Sequence, residues 1–206
     1  MSEERRLSAV SNTPAGLDAT IVGWGEVLEQ RDPGTWSHCR RVAAFATVLA
    51  RALTLDEEEV LAITCGALLH EIGKLEIPEA ILRKPAVLTA EERLIMREYC
   101  QRGYEIVRKA SFQDVAEIVR SHREWFDGTG YPRGLKDEAI PLGARIVAVA
   151  DAFEMLVQDR PHREARAFAA ACAEIRHWSG RQFDPRIVDV LLNVPGEDWK
   201  RASSNI

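Results

Sequence analysis

The chain has 206 residues, 46% of them hydrophobic and 29% charged, with a net charge of -5. That length suits one domain with a substantial core, and the acidic balance gives no electrostatic case for binding a nucleic-acid duplex. No apolar run approaches the roughly 20 residues a membrane-spanning helix needs, and the polar start Met1-Ser2-Glu3-Glu4 lacks an apolar signal core, so export is not expected. Cys39, Cys65, Cys100 and Cys172 are widely spaced without a CxxC pair, which reads as reduced thiols in a cytoplasmic protein.

In chain order, residues 1–14 read as a flexible tail, 15–195 as one helical domain and 196–206 as a C-terminal tail. Within 34–52, His38, Val42, Phe45 and Leu49 share one helical face. Thr54 with Glu57 has capping-box spacing and opens a helix predicted to run to about Ile72, its acidic start Asp56–Glu59 suiting the helix dipole. Gly73 is a good stop and Pro78 suits a short new turn. Thr89 with Glu92 repeats the capping box. Further helices are predicted over 113–121, 142–157, 163–178 and 185–193, the last with Asp184 as N-cap and Pro185 as first residue. No alternating strand pattern persists, so the fold class is all-α. The exception is 123–141, with Gly128, Gly130, Pro132, Gly134 and Pro141. So long a connection between helices is either a functional loop or a self-packed surface loop.

Several polar residues sit where an apolar one would be ordinary. His38, on the apolar face of its helix, is a satisfied core residue or a ligand. His70-Glu71 closes a mostly apolar stretch, Ile63 to Leu69, and a buried carboxylate there needs a partner. Asp151 shares a helical face with Ala144, Val147, Ala148 and Met155, which leaves an arginine or a metal as its partner. Imidazoles and carboxylates together make a borderline-hard site suited to manganese, iron or zinc. Such ions polarise phosphoryl oxygens and activate water. Lys74 would steady a phosphate or simply complement the end of the preceding helix.

The order His38, His70-Glu71, Asp151 resembles the metal-ligand set of the HD superfamily, with Glu in place of the usual Asp. The stretches Arg31-Asp32-Pro33-Gly34-Thr35-Trp36-Ser37-His38, Leu68-Leu69-His70-Glu71-Ile72-Gly73-Lys74, Asp127-Gly128-Thr129-Gly130-Tyr131-Pro132, Ala148-Val149-Ala150-Asp151 and Gln182-Phe183-Asp184-Pro185 are similar to its HD-GYP branch over about residues 20 to 193. That resemblance implies a single helical domain with a long glycine-rich loop, and hydrolysis of cyclic di-GMP with one or two divalent ions, iron or manganese. It implies metal ligation by His38, His70, Glu71, His122 and Asp151, catalytic roles for Glu71 and Lys74, and substrate contacts from Arg123, Tyr131, Arg160 and Arg163. A signalling-protein partner at the loop is a further expectation.

Three positions at the metal site depart from the family pattern, and beside Arg160 and Arg163 the residue His162 stands where the family usually has a tyrosine. Glu71 replaces the usual Asp, Tyr99 stands where the family has a histidine, and Arg123 replaces the second histidine of a pair. Arginine cannot deprotonate to ligate, and its cation repels a nearby metal. Two readings follow: a hydrolase with a reduced metal site, in which Arg123 supplies positive charge to the phosphate, or an inactive cyclic di-GMP sensor or protein-interaction module. Only about 20 residues precede the matched region, which suits the second. The hydrolase is the reading carried forward.

Overall fold

The computed structural model describes residues 15–110, 112–159 and 164–204. Eleven α-helices account for most of the described residues: α1 (Ala15–Arg31), α2 (Thr35–Ala52), α3 (Glu57–Leu69), α4 (Glu79–Leu82), α5 (Ala90–Arg97), α6 (Tyr99–Lys109), α7 (Gln113–Ser121), α8 (Leu142–Val157), α9 (Phe168–His177), α10 (Pro185–Asn193) and α11 (Gly196–Ser204). The only strand-like feature among the described residues is an isolated bridge between Ser179 and Phe183. None of the described helices is long and apolar enough to cross a membrane.

The centre is a triangle of α2, α3 and α8, each packed on the other two. The predicted face of α2 is buried with His38, Val42, Phe45 and Leu49 inward. Phe45, Phe153 and Trp199 close one end of this core, with ring centroids 5.1 to 5.6 Å apart. α7 covers α3 and pairs with α6, while α1 lies against α2 and the 3-10 turn Ile72–Glu76. That turn comes very close to α6: a Cβ on Gly73 would lie 1.9 Å from the Tyr99 carbonyl oxygen. Only glycine permits this approach, which sets Tyr99 beside the segment carrying His70 and Glu71.

Four local expectations need correcting. The capping box of α3 is Asp56 with Glu59, not Thr54 with Glu57. Thr54 has φ 59, in the left-handed region, whereas Asp56 has the extended backbone that an N-cap needs. α3 stops at Leu69, and the chain tightens into the 3-10 turn instead of continuing to Ile72. The helix expected over 163–178 spans 168–177, and positions 160–163 lie outside the described residues. Finally, 196–204 is not a tail but a helix that packs on α2 and buries Trp199. Its sequence, with Trp199 and Ala202 as its only apolar residues, carries too little periodic signal to reveal a helix. The other predicted spans, 113–121, 142–157 and 185–193, and the Thr89–Glu92 capping box match the structure. The expected tail 1–14 lies outside the described residues.

Candidate metal centre

Three imidazoles stand in a row inside the helical triangle and its α7 flank. His38 is the fourth residue of α2, at the end of its first turn, His70 is the C-cap of α3, and His122 is the C-cap of α7. The His38 and His70 rings are 5.4 Å apart and those of His70 and His122 5.1 Å apart. Glu71 follows His70, and Asp151 reaches in from the middle of α8. All five side chains are buried.

On the His38 side, hydrogen bonding fixes which atoms face inward. His70 donates from Nδ1 to the Ala67 carbonyl at 2.7 Å, so its Nε2 carries the lone pair, and that buried atom has no hydrogen-bond partner. His38 is held through Nδ1 by Glu154 Oε2 at 2.7 Å, and Arg41 Nε donates to the other Glu154 oxygen at 2.6 Å. This turns His38 Nε2 towards Asp151 Oδ1, 3.1 Å away, an oxygen that is also buried without a well-directed hydrogen bond. The Glu154 carboxylate behind the imidazole is the usual outer support of a metal-ligating histidine. Glu71 Oε2 accepts from Lys74 Nζ at 2.9 Å, and the same ammonium reaches Asp32 Oδ2 at 3.0 Å.

The electrostatics follow from these contacts. Burial pushes the His38 imidazole down, but the Asp151 and Glu154 carboxylates outweigh it and raise its pKa to about 9. Burial opposes ionisation of Glu71, yet Lys74 and the two imidazoles win and hold its carboxyl down at about 2. Burial keeps His70 below its ordinary value and so neutral, as a ligand must be. One ligand atom each from His38, His70 and Glu71 lies within 4.8 Å of the other two. Orphaned buried acceptors beside an ionised carboxylate form a donor set that fits a divalent cation.

On the His122 side the pattern is the reverse. His122 also donates from Nδ1, to the Val119 carbonyl at 2.7 Å, but its Nε2 accepts a hydrogen bond from the Tyr99 hydroxyl at 2.8 Å. The Tyr99 oxygen in turn accepts from Arg123 Nε at 2.7 Å, and Arg123 Nη1 is 3.1 Å from Asp151 Oδ2. Burial raises the Tyr99 hydroxyl well above its ordinary value, so it is a neutral donor. Burial works against the Arg123 charge, but Tyr99 and Asp151 more than offset it.

The loop 122–141 is organised from within by Glu124. Its buried carboxylate accepts the backbone N–H groups of Arg133 at 2.7 Å and Leu135 at 3.0 Å. Gly130 crosses so close beneath that a Cβ there would lie 2.1 Å from the Trp125 nitrogen. Tyr131 donates its backbone N–H to the Arg123 carbonyl at 3.1 Å, and its half-buried ring packs near Ile77, Tyr99 and Cys100 with the Arg97 guanidinium 4.9 Å from its centroid.

Of the residues singled out from sequence, the structure thus brings His38, His70 and Glu71 together, with Asp151 Oδ1 against His38 Nε2 at 3.1 Å. It sets His122 beside them with Nε2 engaged, and ties Lys74 to two carboxylates. Arg123 is at the rim, with 29% of its side chain exposed. Arg160 and Arg163 lie outside the described residues. Sequence reasoning missed Glu154, Arg41 and Asp32. Glu154 carried a legible signal: it sits three residues after Asp151 in the same apolar helix, where an acid needs a partner for the same reason.

A family profile described as HD domain matches residues 25–187. The chain is 42% identical over 193 residues to the cyclic di-GMP phosphodiesterase response regulator RpfG of Xanthomonas campestris, covering 92% of this chain and 51% of that protein. It is 39% identical over 172 residues to a cyclic di-GMP phosphodiesterase of Thermotoga maritima, covering 82% of this chain and 47% of that one. The chain therefore spans about half the length of the curated relatives it matches. Among solved structures, a cyclic GMP-AMP specific phosphodiesterase of V. cholerae superposes with a TM-score of 0.65 at 22% identity, over 89% of this chain and 52% of that one. A Bdellovibrio bacteriovorus protein of HD-GYP type superposes with a TM-score of 0.61, also at 22% identity, over 94% of this chain and 58% of that one. The histidine–carboxylate cluster lies within the matched segment, and the chain belongs to the HD-domain family.

Proposed function

We propose that this chain is a metal-dependent phosphodiesterase of the HD-GYP type that hydrolyses cyclic dinucleotides, cyclic di-GMP foremost. The observation that carries this reading is the buried, unpartnered Nε2 of His70 beside Glu71 and His38. A structural histidine at that depth would have both ring nitrogens satisfied. His38, His70, Glu71 and Asp151 would hold the ion, and their mixed imidazole and carboxylate donors suit iron or manganese. When bound, such an ion polarises a phosphoryl oxygen and lowers the pKa of water.

The chain's own groups set the rest. Glu154 and Arg41 orient His38, and Lys74 keeps Glu71 ionised and fixed, so Lys74 acts as a positioning residue. The part-exposed Arg123 guanidinium presents a charge to an incoming phosphate, with Tyr131 next to it, and Arg160 and Arg163 complete the expected substrate contacts. The relatives named as cyclic di-GMP phosphodiesterases support the choice of substrate. The four free cysteines, three of them buried, fit a cytoplasmic setting.

The test is incubation of manganese- or iron-loaded protein with cyclic di-GMP, following linear product by chromatography, beside a His70→Ala control. Product formed by the natural chain and not by the control supports the reading; metal-loaded protein without product overturns it. A second reading, a sensor that binds the nucleotide without cleaving it, is favoured by the engagement of His122 with Tyr99. Its signature is saturable binding of cyclic di-GMP with no linear product.

A further inference from the structure

We infer that the position beside His122 where a second cation would sit is filled by the chain's own guanidinium, so that the protein holds a single divalent ion. The inference rests on the metal-centre reading above and concerns how many ions that centre takes. An ion needs lone pairs, and the two ends of the cluster differ in what they offer. At the His38 end, His70 Nε2 is a buried acceptor with no hydrogen-bond partner, and Asp151 Oδ1 meets only His38 Nε2, 3.1 Å away, whose proton an incoming ion would displace. At the His122 end, every acceptor that would turn towards an ion already has one. His122 Nε2 receives the Tyr99 hydroxyl at 2.8 Å, the Tyr99 oxygen receives Arg123 Nε at 2.7 Å, and Asp151 Oδ2 is 3.1 Å from Arg123 Nη1.

Arg123 thus uses two nitrogens of one rigid fork to span Asp151 and Tyr99, and Tyr99 passes the donation on to His122. The relay Asp151–Arg123–Tyr99–His122 gives a donor to three acceptors, Asp151 Oδ2, the Tyr99 oxygen and His122 Nε2, that would otherwise lack one. It also places a permanent positive charge against the outer oxygen of Asp151. A second divalent ion there would have to break two hydrogen bonds and an ion pair and approach a like charge in a poorly solvated site. Asp151 is the divider: its Oδ1 faces the open end and its Oδ2 is committed to arginine. Tyr99 and Arg123 act as a pair here. The phenol alone would leave Asp151 Oδ2 unpaired, and the guanidinium alone would leave His122 Nε2 without a donor.

The test counts ions without relying on activity. The natural chain is loaded with excess manganese, passed through a desalting column, and its metal-to-protein ratio is read by elemental analysis and native mass spectrometry, with electron paramagnetic resonance reporting isolated or coupled manganese. The expected result is one ion per chain with the spectrum of an isolated ion. The double variant Tyr99→His with Arg123→His should move towards two ions and show a spin-coupled pair. As a check that does not depend on that variant folding, His122→Gln should retain the single ion while His70→Gln loses it.

Two ions on the natural chain, a folded double variant that stays at one ion, or loss of metal from His122→Gln each overturn the inference. A natural chain that binds no manganese or iron at all overturns the metal-centre reading itself, a separate and recognisable failure.

Discussion

The two ends of the histidine row use the same residue types for opposite purposes. At the α2–α3–α8 end, His38 and His70 each spend Nδ1 on an oxygen of the protein, and their second nitrogens meet carboxylates and open lone pairs. At the α6–α7 end, His122 spends Nδ1 in the same way, but a phenol caps its second nitrogen. Whether a buried histidine is free to act as a ligand therefore depends on its donors and acceptors, not on its burial or its neighbours in sequence alone. The departures at Tyr99 and Arg123 are mutually compensating, because each supplies a hydrogen bond that the other needs or passes on.

The largest effect should come from the open end. His70→Ala removes the one buried imidazole nitrogen without a hydrogen-bond partner among the described residues and should abolish both metal retention and hydrolysis. For the natural chain, an ion present at about 100 times its Kd adds about 2.7 kcal/mol of stability. A shift in Tm on adding manganese that appears in the natural chain and survives in His70→Ala would show that the ion sits elsewhere.

Next is the closed end. Arg123→Met strips a donor from Asp151 and from Tyr99 and should cost about 3 kcal/mol in urea unfolding of the metal-free protein, since breaking one side of a buried ion pair leaves its partner uncompensated. The part-exposed guanidinium places the cost at the low end of that range. An unchanged unfolding midpoint would reduce the relay to a surface contact.

Glu154→Gln tests the outer support of His38. It preserves shape but weakens the orienting bond, and a loss of about 10- to 100-fold in metal affinity is expected by competition with a chelator. Equal affinity in the two proteins would make Glu154 a purely structural acid.

The gentlest probe is pH. His38 has its pKa raised to about 9 from an ordinary 6.5. The stabilisation this gives the metal-free protein is fully present below pH 6.5 and is lost as pH rises through about 9. Metal must displace the same proton, so metal affinity should climb over that window while metal-free stability falls. Opposite slopes of metal affinity and metal-free Tm against pH are the result to look for. Parallel slopes would mean that His38 is not the shared group.

Much of the fold was legible because its causes are local. The helices at 113–121, 142–157 and 185–193 follow from apolar periodicity and cap residues a few positions apart. Where a local rule competed with backbone conformation it misled: Thr54 and Asp56 both have an acid three residues on, and only the left-handed backbone at Thr54 assigns the cap to Asp56. The helix holding Trp199 was missed because its stability comes from Phe45 and Phe153, not from its own pattern.

By itself, the sequence determined the all-α class, the glycine-rich loop and the identity of the candidate ligands, since an acid or imidazole set into an apolar helix must find a partner. Only the tertiary structure decided who those partners are. His38 meets Glu154 across 116 positions of chain and Tyr99 meets His122 across 23. A lone pair is open to a metal only if no donor from a distant segment reaches it first, and that depends on how α2, α6, α7 and α8 pack together.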